Sequence, residues 1–411
     1  VVEETDAHPA SAADGRQRLS EAAAKSPQKK GGCPVPAAWP DPGLPIPPYL
    51  TVAAAQGDPR RAPAAAAGYW ERRGLPTGPE QVAAAPGAEP LLLALLAAIG
   101  GDAVVVARPA AAWHTAPGRL LGRRTFSVQT PAEGGGAPDP FALLETVRRA
   151  RAEGVDPRVL VLSAADDPTG TVTPPELLHE VCEAAADARL LVLSDETYSD
   201  TVQPGVVLLS PAEILPAQTV VLADLGASLL PPGWPAAVAR FPDTEQGVRL
   251  RMETLGIAAG LRSVLPSPVA SAAAYALEEP EDVRAHAAAA KRLHALVGAA
   301  AYKAVTGAGA LCRPPEAGFQ MYADLEQLRT GLDAPGLEAW LGQRLGRPVS
   351  GGHRFGDEAS APRVRIDVGP LCGVGEQERS AALHAQDPLA LPHVTAALAA
   401  LGAALSALSG G

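Results

Sequence analysis

The chain is poor in lysine. Among 411 residues there are five, Lys25, Lys29, Lys30, Lys291 and Lys303, so few positions can supply a primary amine. Aromatic residues make up 4% of the chain and the apolar fraction is 47%, so alanine, leucine and valine must build the core. That is enough apolar material for one large and one small domain. The four cysteines, Cys33, Cys182, Cys312 and Cys372, are scattered. They form no CxxC pair and no metal-ligand spacing, which argues against a disulfide framework or a zinc site and leads us to expect a reducing, cytoplasmic setting. Long apolar runs are missing as well. Residues 91–99 are too few to span a bilayer, and no signal peptide opens the sequence as given. Positive charge is outnumbered: 34 Lys and Arg against 45 Asp and Glu give a net charge of −11. A nucleic-acid partner is therefore not expected, because phosphate neutralisation needs clustered cations. The basic run at residues 25–30 reads as a solvated tail.

What is present has a clear order. Residues 1–48 are rich in Ala, Pro, Gly, Ser and charge and read as a partly disordered arm whose Pro-rich end packs on the body. Residues 57–67 read as a loop entering a helix. Apolar strands at 103–107, 159–163, 190–194 and 219–223 alternate with helices at 91–99, 140–152 and 174–186. Strands that are apolar throughout and separated by helices predict an α/β fold, a mostly parallel sheet covered on both faces. One long Ala-rich helix over 269–300 leads to strands at 318–322 and 363–368 and a final helix at 391–408, read as a smaller α+β domain. The predicted division is an arm to 48, a large domain over 49–265, and a linking helix with the small domain over 266–411.

Three of the strands run into acid: Asp166 and Asp167, Asp195, and Asp224. In an open parallel sheet, ligands sit outside the carboxyl ends of the strands. If these strands are neighbours, crowded carboxylates raise at least one pKa and set a general acid beside a general base. For Asp166 and Asp224 the simpler role of a cap residue stays open. Three aspartates can also hold a hard cation, but no histidine is fixed beside them by spacing and no metal is expected.

Several segments, in order, resemble the class I/II aminotransferases, pyridoxal-phosphate enzymes of fold type I, over about residues 68–405. Pro86-Gly87-Ala88-Glu89 resembles the turn whose backbone N–H groups hold the coenzyme phosphate. Asp167-Pro168-Thr169-Gly170 resembles the family's Asn-Pro-x-Gly, and Asp195-Glu196-Thr197-Tyr198 its Asp-Glu-x-Tyr. Gly233-Trp234 resembles the pair that follows the lysine loop, residues 349–356 (VSGGHRFG) resemble the Pro-Gly-x-x-Phe-Gly turn, and Arg365 falls where the family binds the substrate's α-carboxylate. The resemblance implies a mostly parallel central sheet with helices on both faces, a smaller C-terminal α+β domain, and a homodimer.

The departures from the pattern are at the coenzyme. Counting back from Gly233-Trp234, the Schiff-base lysine falls at Ala227. The family's phosphate-binding serine falls at Asp224 and its phosphate-binding arginine at Pro235. The ring-stacking aromatic falls at Ala111, with Trp113 and His114 close by to replace it. A charge-assisted hydrogen bond is worth about 1.5–3 kcal/mol, so these changes together predict several kcal/mol less phosphate affinity. The expectation from sequence is therefore a chain with no coenzyme: a catalyst independent of pyridoxal phosphate, descended from an aminotransferase. It would work by acid–base chemistry, in cyclisation, condensation, elimination or isomerisation, on an amino-acid-derived molecule in specialised metabolism. Asp195, Tyr198, Asp224, Asp167 and His114 are the expected catalytic groups. Arg365, Trp113, Gly87 and Ala88 are the expected binding groups for a substrate carrying an amine or iminium and a carboxylate. The alternatives are an inactive scaffold or partner subunit, and a residual pyridoxal-phosphate aminotransferase. His353 reads as a surface histidine, Arg262 as an anion contact or a structural ion pair, and Cys312 as core packing without a nucleophilic role.

Overall fold

The computed structural model describes residues 39–131 and 134–408. Most of the predicted arm, with Cys33 and the basic run, lies outside the described residues. The body opens with α1 (Pro48–Gln56) and α2 (Ala62–Glu71). There follow β1 (Val82–Ala85), α3 (Ala88–Ile99), β2 (Ala103–Arg108), α4 (Ala116–Leu120), β3 (Arg124–Gln129), α5 (Pro140–Ala152), β4 (Pro157–Ser163), α6 (Pro175–Asp187), β5 (Leu191–Asp195), α7 (Pro211–Ile214), β6 (Thr219–Asp224), β7 (Ala237–Arg240) and α8 (Glu245–Gly260).

The seven strands form one sheet in the order β1-β7-β6-β5-β4-β2-β3. From β6 to β3 every pairing is parallel, whereas β7 runs antiparallel to both β6 and β1. The predicted mostly parallel sheet is present. Its faces follow from alternation along the strands. Val104, Val106, Val159 and Val161 pack with α3 on one face, and Val105, Leu160, Leu162 and Val192 pack with α5 and α6 on the other. Local chemistry starts the covering helices: the Asp139 carboxylate accepts the Ala142 N–H at 2.7 Å, capping α5.

The predicted helix over 269–300 is in fact two, α9 (Ser267–Glu278) and α10 (Glu281–Gly307). The break is at Glu279, which is left-handed at φ 52°, with Pro280 as the next N-cap. Glu279 is gripped there by Arg72 Nε at 2.8 Å and Arg73 Nη2 at 2.6 Å. Beyond it come β8 (Leu311–Cys312), β9 (Gln320–Asp324), α11 (Ala334–Leu345), β10 (Ser350–Gly351), β11 (Arg363–Asp367), α12 (Glu376–His384) and α13 (Pro392–Leu408). The four strands make a second, antiparallel sheet in the order β10-β11-β9-β8. Its core draws on Leu293 and Val297 of α10, Leu337 of α11 and Leu401 of α13.

Residues 39–47 form a strap across both sheet layers. Asp41 pairs with Arg379 at 2.6 Å. The Pro42 carbonyl accepts from His294 Nε2 at 2.7 Å. Gly43, at φ 66°, presses so close to Gly369 that a Cβ there would lie 2.1 Å from the Gly369 carbonyl oxygen. At its other end Trp39 stacks on Trp113, with ring centroids 5.6 Å apart, and donates through Nε1 to Glu89 Oε1 at 2.6 Å.

Candidate active site at the strand ends

Strands β4, β5 and β6 are neighbours, so their carboxyl ends bring Asp167, Asp195 and Asp224 into one crevice. The register fixes their heights: Ser163 sits opposite Asp195, and Asp195 opposite Leu222. All three carboxylates are screened from water, Asp167 and Asp195 almost completely. Burial is the larger cause of the raised pKa values of Asp167 and Asp224, ahead of the mutual repulsion expected from sequence. It lifts Asp224 to about 6, against backbone hydrogen bonds that lower it, and it lifts Asp167 against the opposing pull of Arg365. Asp166 is pushed up to about 7 by burial, although Thr169 hydrogen-bonds to it, and Glu196 behind the site is also lifted to about 7.

Each carboxylate is engaged by the chain itself. Asp195 Oδ1 accepts the Thr197 N–H at 3.0 Å, while its Oδ2 lies 2.9 Å from His114 Nε2. His114 is buried and is covered by Trp113, whose ring meets it edge-on at 4.4 Å, with Trp39 stacked outside. Asp224 Oδ2 accepts the Ala88 N–H at 2.9 Å, at the start of α3, while Oδ1 accepts the Gly226 N–H. The cap role left open for Asp224 is thus real, and it serves two elements. Asp166 accepts the Thr169 hydroxyl at 2.6 Å, an ordinary turn contact. Arg365, on β11 facing the large sheet, pairs with Asp167 at 3.1 Å and with Asp367 at 2.9 Å. The Tyr198 hydroxyl is buried and has no hydrogen-bond partner among the described residues, and its ring packs edge-on against Phe319. Burial pushes that phenol well above its usual range.

The expected cluster of Asp195, Tyr198, Asp224, Asp167, His114, Arg365, Trp113, Gly87 and Ala88 thus gathers at one end of the sheet. Three other residues do not join it. Arg262 stands exposed just past α8, in a left-handed conformation. His353 lies 4.0 Å from Glu338 on the small-sheet side. Cys312 is half-buried and donates to its neighbour's carbonyl. Two contributors were not read from sequence. Trp39 falls in the predicted arm, whose sequence gives no sign of its stacking, and Asp367 follows Arg365 by two residues and so shares its face of β11, a signal available in the spacing. Among the described residues no three His, Cys, Asp or Glu side chains are placed to hold a metal ion. A cavity of about 830 Å3 lies at the opposite, amino end of the strands beside Arg158 and Arg189.

The family model for aminotransferase class I and II matches residues 56–345. The chain belongs to that family. The aspartate/prephenate aminotransferase of Thermus thermophilus is 31% identical over 144 residues, which is 34% of this chain and 35% of the relative. The aspartate aminotransferase of Pyrococcus horikoshii is 22% identical over 134 residues, a third of either chain. The chain thus spans about a third of the curated relatives it matches. Solved structures agree over far more of the fold. The Thermus thermophilus aspartate aminotransferase with maleate superposes with a TM-score of 0.70 over 92% of this chain and 95% of its own, at 22% identity. The N-succinyldiaminopimelate aminotransferase of Mycobacterium tuberculosis gives 0.71 over 89% and 94%, also at 22%. At that identity the likeness is one of fold.

Membership of the aminotransferase class I and II family corrects the functional expectation drawn from sequence. The match to that family, together with relatives named as aspartate and aspartate/prephenate aminotransferases, overturns the catalyst independent of pyridoxal phosphate, the inactive scaffold and the chain without a cofactor. Those expectations leaned on single positions, whereas the family match extends over most of the fold. The residues at the strand ends, as placed, nonetheless do not fit the coenzyme that the family implies. Asp224, and not a neutral donor, faces the Ala88 N–H at the start of α3. Asp195 is taken by His114, and Arg365 by Asp167 and Asp367. The turn after β6 carries Ala227, which has no amine, and the two described lysines, Lys291 and Lys303, stand on α10. No step is therefore derived through the coenzyme.

Proposed function

We propose that this chain acts as an aminotransferase on an amino acid; pyridoxal phosphate is the coenzyme that the family implies, and the strand-end residues as placed do not by themselves account for its binding. The observation that carries the reading is the family match over residues 56–345. Two features of the site support an amino acid as ligand. Arg365 is a buried cation facing the crevice, suited to a carboxylate. Asp167, Asp195 and Asp224 supply negative charge within the same crevice, suited to an ammonium group. The names of the relatives favour a dicarboxylic amino-acid donor such as aspartate. Within this reading Asp195, Tyr198, Asp224, Asp167 and His114 are the residues closest to the chemistry, and Trp113, Gly87 and Ala88 line the binding side. The body divides near residues 48 and 265, the active species is a homodimer, and the reaction takes place in the cytoplasm. No helix among the described residues is long and apolar enough to cross a membrane.

The deciding experiment incubates the full chain with pyridoxal phosphate and aspartate, glutamate or phenylalanine. It follows coenzyme binding by tryptophan fluorescence and 2-oxo acid formation by chromatography. Coenzyme-dependent release of a 2-oxo acid is expected. A chain that neither binds the coenzyme nor releases a 2-oxo acid from any of the three donors refutes the reading.

A further inference from the structure

The cavity of about 830 Å3 lies at the amino ends of the strands, at the other end of the sheet from the carboxylate crevice. Its volume falls within the range of small-molecule pockets, roughly 300–1,000 Å3. Ile99 at the end of α3, Leu191 at the start of β5 and Leu250 of α8 give it an apolar lining. Charged side chains complete it, and most of these are already engaged. Arg158 pairs with Asp156 at 2.6 Å, and Arg249 reaches Glu245 at 3.7 Å. Arg151 donates to the Ala188 carbonyl at 2.7 Å and so caps the end of α6.

Three charges remain. Arg189, Asp187 and Glu253 line the same space, and no side chain of the three has a hydrogen-bond or ion-pair partner among the described residues. They do not pair with one another either. A ligand that carries both signs can satisfy both at once, through charge-assisted hydrogen bonds.

The backbone singles out Arg189. The Arg189 N–H donates to the Ala186 carbonyl and the Leu190 N–H to the Ala185 carbonyl, both at 2.9 Å, and Arg189 is left-handed at φ 54°. A helix that ends with this bonding favours glycine at that position, because a Cβ is penalised there. An arginine stands in the glycine place, and its guanidinium does nothing for the fold. No contact within the described chain accounts for it, whereas the cavity it lines does.

We propose that this cavity binds a zwitterionic amino acid with an apolar side chain. Arg189 takes the carboxylate, and Asp187 and Glu253 take the ammonium group, which the carbonyl end of α6 also favours. The side chain lies against Ile99, Leu191 and Leu250. The site is remote from the crevice assigned to transamination and does not rest on that reading.

The test is calorimetric titration of the full chain, without added pyridoxal phosphate. The probes are leucine, 4-methylpentanoate, which lacks the amine, and 3-methylbutan-1-amine, which lacks the carboxylate. Saturable binding of leucine is expected, with each analogue at least about tenfold weaker for want of one charge-assisted contact. Arg189→Gly is expected to weaken leucine by about tenfold or more while its thermal midpoint holds or rises, since glycine is at ease at positive φ. That pairing excludes unfolding as the cause. The double variant Asp187→Asn, Glu253→Gln changes two exposed residues and is expected to weaken leucine by a similar factor. Leucine bound in the strand-end crevice instead would be indifferent to Arg189→Gly. No saturable binding by the wild type, an analogue that binds as tightly as leucine, or wild-type affinity in either variant overturns the proposal.

Discussion

Arg365 and Asp167 show how much one atom changes at the residue scale. Where the related motif has asparagine, Asp167 places a carboxylate 3.1 Å from the guanidinium. An incoming carboxylate must compete with that internal one. Asp167→Asn should therefore raise the affinity for a dicarboxylate such as succinate by about tenfold, on the scale of a charge-assisted hydrogen bond. Titration calorimetry measures it, and unchanged or weaker binding counts against Arg365 as the carboxylate site. Asp166 gives a second prediction. Burial holds its folded pKa at about 7, well above an unfolded aspartate's value of roughly 4. Between those values the folded chain keeps a proton that the unfolded chain has lost, so stability falls as pH rises through the window. Asp166→Asn removes the effect. Its stability relative to wild type should grow from pH 4 to pH 8 by at least about 1 kcal/mol, read from urea midpoints. A difference that is flat with pH rules out a buried, proton-holding Asp166.

The elements differ in how openly the sequence announces them. The strands β2, β4, β5 and β6 were legible because a strand buried on both faces has no polar positions to interrupt it. β1, with the sequence VAAA, and β7, with AVAR, were not, since alanine favours helix and is depleted in strands, so four alanine-rich residues do not announce a strand. β3 at the sheet edge is half exposed and reads as a mixed polar segment. The joint at Glu279 was hidden because alanine-rich sequence on both sides continues one helical pattern. At the site, the three strand-end aspartates, Arg365 and His114 could be picked out from position and resemblance. Their self-pairing could not, because Asp167 meets Arg365 across 198 residues and His114 meets Asp195 across 81. The strap is the element with the sharpest steric constraint. Gly43→Ala places a Cβ against the Gly369 carbonyl and should dislodge residues 39–47. Limited proteolysis ahead of α1 should then be at least about tenfold faster, and Trp39 fluorescence should shift to the red. Cleavage at the wild-type rate refutes a tight seat for the strap.

Across the whole molecule, buried acids outweigh buried bases. Asp166 and Glu196 at about 7 and Asp224 at about 6 each add stability as pH falls from neutrality toward their unfolded values. His294 opposes them: burial holds it at about 4, below an unfolded value of roughly 6.5, so its share is lost as pH falls through that range. These three acids, with Asp167 and Asp367 raised in the same direction, outweigh His294 and the lowered Glu279 and Glu338 and put the stability optimum on the acid side, at about pH 5. Thermal midpoints from pH 4 to pH 9 test this, and a maximum above pH 7 contradicts it.

The clamp on Glu279 has a mechanical consequence for any movement between the two layers. With α9 ending at a carboxylate held by two arginines of the α2 end, the start of α10 is anchored to the large body. The small sheet can then swing about that anchor like a gate on its post, but it cannot slide away as a block. In such a swing displacement would be smallest beside the hinge and would grow along the 27 residues of α10 toward β8, which follows it.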